Sequence, residues 1–286
     1  MDDKEHELEQ LDNAIRAAEK WSPQYSKDPE GHAKIIKVET KLDRDIRAYF
    51  RGLSERAINY VDWFAYDKKL REVRATDDFD IIVNISDTVA GQEDGIFITA
   101  IFDTVATGVS VGAQAGELIY TKPLGLSQTS AEVQRAAREL VAELVGRQLD
   151  KNGNIVDNPR SKYRISDKTR NDIRESLRTS ISLGENHLDA TARMQKTIKN
   201  PKRAATIART EAVNSYQTGL MVMGDSSGAV GKEWLTVNND DVCGTYANVG
   251  VVDLGYVYNP VTKIKHPAAH PNCRCSLRLI YPEELA

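Results

Sequence analysis

The sequence predicts an α+β fold rich in helix: a helical N-terminal unit followed by a smaller α+β unit that closes in a short C-terminal sheet. Three observations carry this prediction. Apolar residues recur at steps of three and four along most of the chain before about residue 221, the period of an amphipathic helix. Alternation at a period of two appears only after residue 230, the signature of strands. Pro, Gly and Asn punctuate the chain between these stretches, giving an acidic arm (1–33), a helical domain (34–157) and a C-terminal domain (158–286).

The first helical stretch, about 34–70 as one helix or two in tandem, places Leu42, Ile46, Tyr49, Leu53 and Ala57 on one face and Lys41, Arg44, Arg47, Arg51 and Glu55 on the other. Between Asp94 and Tyr120, Gly108, Gly112 and Gly116 recur every fourth residue. Such a stripe lets another backbone approach, either within the chain or on a neighbouring subunit. After the break at Pro123 to Gly125, Ser130 is an N-cap for a helix presenting Val133, Leu140, Val141, Leu144 and Val145, which ends by the Asn152-Gly153 turn. Asn158 and Pro159 read as a connection.

Ser166 can cap the next helix, with Ile173, Leu177 and Ile181 on its inner face and Gly184 as its stop. A short helix carrying Leu188, Ala192 and Ile198 follows. Asn200 and Pro201 then open a third helix through about Met221. Glu233 to Asn238 alternates Trp234 and Thr236 against Leu235 and Val237, and Cys273 to Tyr281 places Cys273, Cys275, Leu277, Leu279 and Tyr281 on one face.

With 286 residues, 41% hydrophobic and 28% charged, the chain has the composition of a soluble globular protein large enough for two units. Its net charge of −4 gives no global attraction to nucleic acid. Charge is segregated, however. Ala75 to Thr121 holds no Lys or Arg, whereas Arg160 to Arg203 is basic. Intramolecular pairing explains both runs. A DNA-facing surface centred on Lys196, Lys199, Lys202 and Arg203 is the sharper alternative. The acidic start, Met1 to Asp12, is the opposite of a secretory signal and points to the cytoplasm of the cell that makes the chain. Gly95 to Tyr120 is too interrupted by Asp103, Gln114 and Glu117 to read as a membrane span.

All three cysteines lie after residue 242, an odd number that argues against a disulfide framework. Cys243, Cys273 and Cys275 with His270 offer a Cys3His set for one structural zinc, with His266 as a further nearby ligand type. The alternative is three buried, reduced thiols and no cofactor. In the helix after Pro201, Arg209, Glu211, Asn214 and Gln217 form a polar group. An enzyme using Arg209, Glu211, Asp241 and the Cys/His cluster on a nucleotide or metal is one reading. Successive helix residues point about 100° apart, however, so hydrogen bonds that fix the helix to the strands explain the group better. No nucleophile triad or phosphate-binding Gly-rich loop is present.

The set Ile207-Ala208-Arg209-Thr210-Glu211, Asn214, Gly219, Lys232-Glu233-Trp234, Asp240 to Cys243 and His270-Pro271-Asn272-Cys273-Arg274-Cys275 resembles the phage Mu F-like head morphogenesis domain, over roughly 166–280. The resemblance implies a noncatalytic minor head (capsid) protein of a tailed bacteriophage, located in the virion near the portal. Its implied partners are the portal protein, scaffolding or major capsid protein, and packaged DNA without sequence specificity. It also implies a structural motif of Arg209, Thr210, Glu211, Asn214, Trp234, Asp241, Pro271, Asn272 and Arg274. Where many members of the family have a second cysteine three positions after the first, this chain has Tyr246.

Overall fold

The computed structural model of the chain describes residues 29–72, 87–159, 161, 165–236, 242–273 and 275–284. Residues 1–28 of the acidic arm, Asp240, Asp241 and Arg274 therefore lie outside the described residues. Helix α1 (Pro29–Arg56) leads through a 3-10 turn (Ala57–Tyr60) to α2 (Trp63–Glu72), then α3 (Asp87–Ile119) and α4 (Ala131–Leu144). A hairpin follows, β1 (Arg147–Leu149) with β2 (Ile155–Asp157). Next come α5 (Ile165–Ser182), α6 (His187–Ile198) and α7 (Pro201–Ser227). The chain finishes with β3 (Gly231–Leu235), α8 (Val242–Ala247), β4 (Val251–Asp253) and β5 (Ser276–Ile280). The fold is α+β and helix-rich, as the sequence predicts.

The chain divides into two compact units that do not follow its order. One comprises the chain up to Thr40 together with Thr104–Ala137 and Thr206–Ala286; the other comprises Lys41–Asp103 and Arg138–Ala205. The expected boundary at 158 falls inside the second, and the chain passes between the units within α1, α3, α4 and α7.

In the first unit the glycine stripe faces α7. A Cβ on Gly112 would stand 1.9 Å from the Tyr216 carbonyl oxygen, and one on Gly219 would stand 2.0 Å from the Val109 carbonyl oxygen. Two helices thus meet backbone to backbone, so the stripe serves an intramolecular contact. Antiparallel β3 lies between β4 and β5. The Gln217 side-chain oxygen accepts from Leu277 N–H at 3.0 Å, and the Tyr120 hydroxyl accepts from Leu279 N–H at 2.8 Å, tying the β5 edge to α7 and α3. Leu277, Leu279 and Tyr281 join Met223 and Ala113 in one apolar cluster.

Cys273 and Cys275 belong to a different cluster, around Trp234, Tyr246 and Tyr258. This corrects the expectation of a single face from 273 to 281. The ladder begins only at Ser276, and Asn272 adopts φ 60° just before the cysteines, so the two-residue period does not extend back to them.

In the second unit, Leu42, Ile46, Phe50, Phe97, Ile173 and Leu177 are buried. The acidic run is paired here with arginines outside the basic run, Arg56 and Arg147, while Arg193 and Arg203 of the basic run pair with Glu185 and Asp172 of their own stretch. The Glu93 carboxylate receives two hydrogen bonds from Arg56, at 2.6 and 2.7 Å, and one from the Tyr60 hydroxyl at 2.6 Å. Burial alone would raise the Glu93 pKa, but these donors hold it below its ordinary value. Asp94 pairs with Arg147 at 3.3 Å. The turn between β1 and β2 is closed by Asp150, whose carboxylate accepts from Asn152 and Asn154 N–H, while Gly153 takes φ 83°. Residues 150–154 thus form a five-residue hairpin loop in which only the glycine of the Asn-Gly pair is left-handed, where the sequence pattern predicts only a helix end.

Two local expectations are corrected. Ser166 falls inside α5, not before it. In α6 the buried face is Ala190, Met194 and Ile198, with Leu188 70% exposed. The reason is that Asn186 caps the helix through Leu188 and Asp189 N–H, and the four-residue steps counted back from Ile198 reach Met194 and Ala190. Among the described residues, one helix, Val89–Ile119, is long and apolar enough to cross a membrane by length and composition, but 61% of its most apolar window is buried within the protein. That burial is how a core helix meets the same test.

Candidate functional site

The residues singled out in the sequence converge on α7 and the turn before β5. Asn200 caps α7 by accepting from Lys202 N–H at 3.0 Å, with Pro201 at its first position, where no N–H is needed. Two turns on, the Arg209 Nε donates to Glu39 of α1 at 3.2 Å, and its Nη1 reaches the Asn272 side-chain oxygen at 3.4 Å. The Thr210 hydroxyl accepts from Asn272 N–H at 3.1 Å. Asn272 can hold its left-handed backbone because asparagine tolerates φ > 0. Arg209 and Thr210 therefore seat the turn that delivers the cysteines. Asn214 donates to Glu211 at 3.0 Å. Pro271 is exposed in the same turn.

Three thiols meet beneath this turn. Cys243, from the first turn of α8, and Cys273 and Cys275, from the approach to β5, are all buried, with their sulfurs within 4.8 Å of one another. The Cys243 and Cys273 sulfurs are 3.7 Å apart, so no disulfide joins them. Hydrogen bonding to Cys273 and then Cys275, followed by burial, pushes the Cys243 thiol up. The same S–H groups, Cys243 first, favour the Cys275 thiolate and pull that thiol down. The three thiols therefore titrate as one coupled set.

The expected fourth ligand, His270, is not part of this cluster among the described residues. Its Nδ1 is 2.9 Å from the Pro271 carbonyl oxygen, within the turn itself. His266 is also elsewhere, with Nδ1 2.5 Å from the Pro267 carbonyl oxygen and Nε2 3.3 Å from the Thr218 hydroxyl. Burial pushes it down to about 4, and it is neutral at pH 7. At position 246, Tyr246 fills the space with an aromatic ring, 5.1 Å from Trp234 and edge-on to it.

Sequence reasoning missed two buried charges that the site uses. Glu39 sits on the apolar stripe of α1 between Ile35 and Leu42, a position where a carboxylate needs a cation, and Arg209 supplies it. Lys232, two residues before buried Trp234, is fully buried; its Nζ donates to the Tyr256 carbonyl at 2.8 Å and faces the Tyr258 ring at 5.7 Å. Desolvation, with Lys265 adding repulsion, pulls Lys232 down to about 8. The period of two would have found it.

The four DNA candidates divide. Lys196, Lys199 and Lys202 are exposed, whereas Arg203 donates to Asp172 at 3.2 Å and to Thr169 at 3.1 Å and lies over the Phe50 ring at 4.8 Å. Arg203 is an internal brace of the second unit.

Compared with known families, residues 171–278 match the model of the Phage Mu protein F like protein family. This stretch is Mu F-like. The match falls within the span expected from the sequence, and it associates the chain with phage head morphogenesis. No curated protein and no solved structure matches the chain. The Mu F-like stretch takes in most of α5 and all of α6 in one compact unit, and runs from α7 into β5 in the other. It contains the Arg209-Thr210 seat, the Asn272 turn and the cysteine cluster.

Proposed function

We propose that the chain is a noncatalytic minor head protein of a tailed bacteriophage that associates with the portal during prohead assembly and remains in the virion. The observation carrying this reading is the Mu F-like match over 171–278. The structural use of the motif supports it: Arg209 and Glu211, which an enzyme would offer to a substrate, are bonded to Glu39, Asn272 and Asn214. A protein of this kind acts through its surfaces. Scaffolding and major capsid protein are the further partners of such a surface.

Packaged DNA is the proposed non-specific partner of Lys196, Lys199 and Lys202, three exposed cations around the junction of α6 and α7. Such contacts go to phosphates and release counterions.

Co-sedimentation of the chain with portal rings of the same phage tests the assembly role. Comigration at a fixed ratio at two salt concentrations is the expected result, and no association at either removes the portal from the proposal. For DNA, the logarithm of affinity should fall linearly with that of salt, and each lysine replaced by glutamine should reduce the slope by about 1. Salt-insensitive binding would refute the phosphate contact.

A further inference from the structure

We infer that Cys243, Cys273 and Cys275 form a three-thiolate site for one thiophilic divalent cation of the zinc class, built without His270, which clamps the 243–273 loop shut. The inference is independent of the portal reading.

Geometry comes first. A Zn–S bond of about 2.3 Å sets neighbouring sulfurs of a tetrahedral site about 3.8 Å apart, and Cys243 and Cys273 already stand at 3.7 Å. The third sulfur lies within 4.8 Å of both. An ion can therefore enter with small side-chain rotations and no rearrangement of the chain. The sulfurs come from two places fixed independently of any ion: α8, held by Tyr246 against Trp234, and the Asn272 turn, held by Thr210.

Charge selects the ion. Three thiolates carry −3; a monovalent soft cation would leave −2 in a buried site, and a divalent one leaves −1. The penalty of burying charge rises steeply with its magnitude, which favours the divalent ion, while sulfur ligands exclude the hard cations that prefer oxygen. The residual charge has a neighbour suited to it: the buried indole N–H of Trp234, a residue of the same cluster, faces the Cys275 sulfur and favours its negative charge. Three thiolates leave the fourth position of a tetrahedral ion to a water, and burial of all three cysteines keeps substrate from that position, so the ion's role is structural. Between Cys243 and Cys273 the regular elements are the rest of α8 and the three-residue β4, so the ion joins the two ends of a stretch with little secondary structure of its own.

The test is a Co2+ titration of the full chain, reduced and stripped of metal with chelator. Co2+ reports sulfur ligation by its thiolate charge-transfer absorption, and Zn2+ should displace it. The expected result is an end point at one equivalent, lost in each of Cys243→Ser, Cys273→Ser and Cys275→Ser and unchanged in His270→Ala. Absence of thiolate absorption overturns the site, as does an end point that survives loss of any single cysteine. Loss of the end point in His270→Ala would equally overturn a three-thiolate site, in favour of a Cys3His one. Should the serine variants fail to fold, the wild-type chain decides alone. Stoichiometric Zn2+ should raise its melting temperature and slow proteolysis within 243–273, and no shift in either would refute the clamp.

Discussion

Replacing Gly112 with alanine tests the backbone contact between α3 and α7 in sign as well as size. In a helix whose surroundings were indifferent, alanine would stabilise by up to about 1 kcal/mol over glycine. Here the new methyl would stand 1.9 Å from the Tyr216 carbonyl oxygen, against the 3.0 Å that real Cβ contacts respect, so the helices must separate by 3.0 − 1.9 = 1.1 Å. The obstacle is backbone and cannot rotate away. A gap of that size forfeits a quarter to a half of the dispersion energy of the facing side chains, and overpacking of this kind costs about 3 kcal/mol or more. After the propensity gain, Gly112→Ala should destabilise by about 2–3 kcal/mol, lowering the melting temperature by roughly 5–10 °C. Gly95→Ala is the control within the same helix. No atom lies within 4 Å of the place its methyl would occupy, so it should raise the melting temperature by about 2–4 °C. Thermal unfolding followed by circular dichroism on all three proteins reads both shifts. If Gly112→Ala melts no lower than wild type, the close approach is wrong.

Arg209→Met should cost about 2–3 kcal/mol, because the Glu39 side chain, only 9% exposed, loses its 3.2 Å partner. The Glu39→Gln/Arg209→Met double variant should recover at least about 1 kcal/mol in denaturant unfolding, and full additivity would deny the coupling. For Lys232→Met the pH dependence is diagnostic. With the folded group at about 8 and the ordinary value at 10.5, the unfolded chain holds a proton that the folded one has released. Wild-type stability should therefore rise relative to the variant from pH 8 to 10.5, by at most about 3 kcal/mol; a flat difference would mean that the lysine is solvated. Arg203→Ala should destabilise by about 2 kcal/mol through loss of its bonds to Asp172 and Thr169, whereas Lys199→Ala should stay within about 0.5 kcal/mol. Equal effects in calorimetry would remove the distinction between brace and surface.

The sequence by itself determined the elements with strong local codes. The apolar stripe from Leu42 to Leu53 of α1 and on to Ala57 of the 3-10 turn is buried as its period requires, Asn200-Pro201 starts α7, and Gly184 follows the end of α5 with φ 70°. These signals act over one or two turns of chain, so one sequence suffices to read them. The Mu F-like signature was legible for the same reason, as short ordered motifs. Tertiary structure alone decided which motif residues touch. Glu39 and Arg209 are 170 positions apart, and no local period links them. Likewise, Cys273 and Cys275 turn toward Trp234 and away from the Leu277 cluster because the Asn272 turn, seated by Thr210, interrupts the strand alternation. His270 stands beside the cysteines in sequence but outside their cluster, since a ligand set is a meeting of side-chain directions, and those directions are fixed by the contacts of α7, α8 and β5.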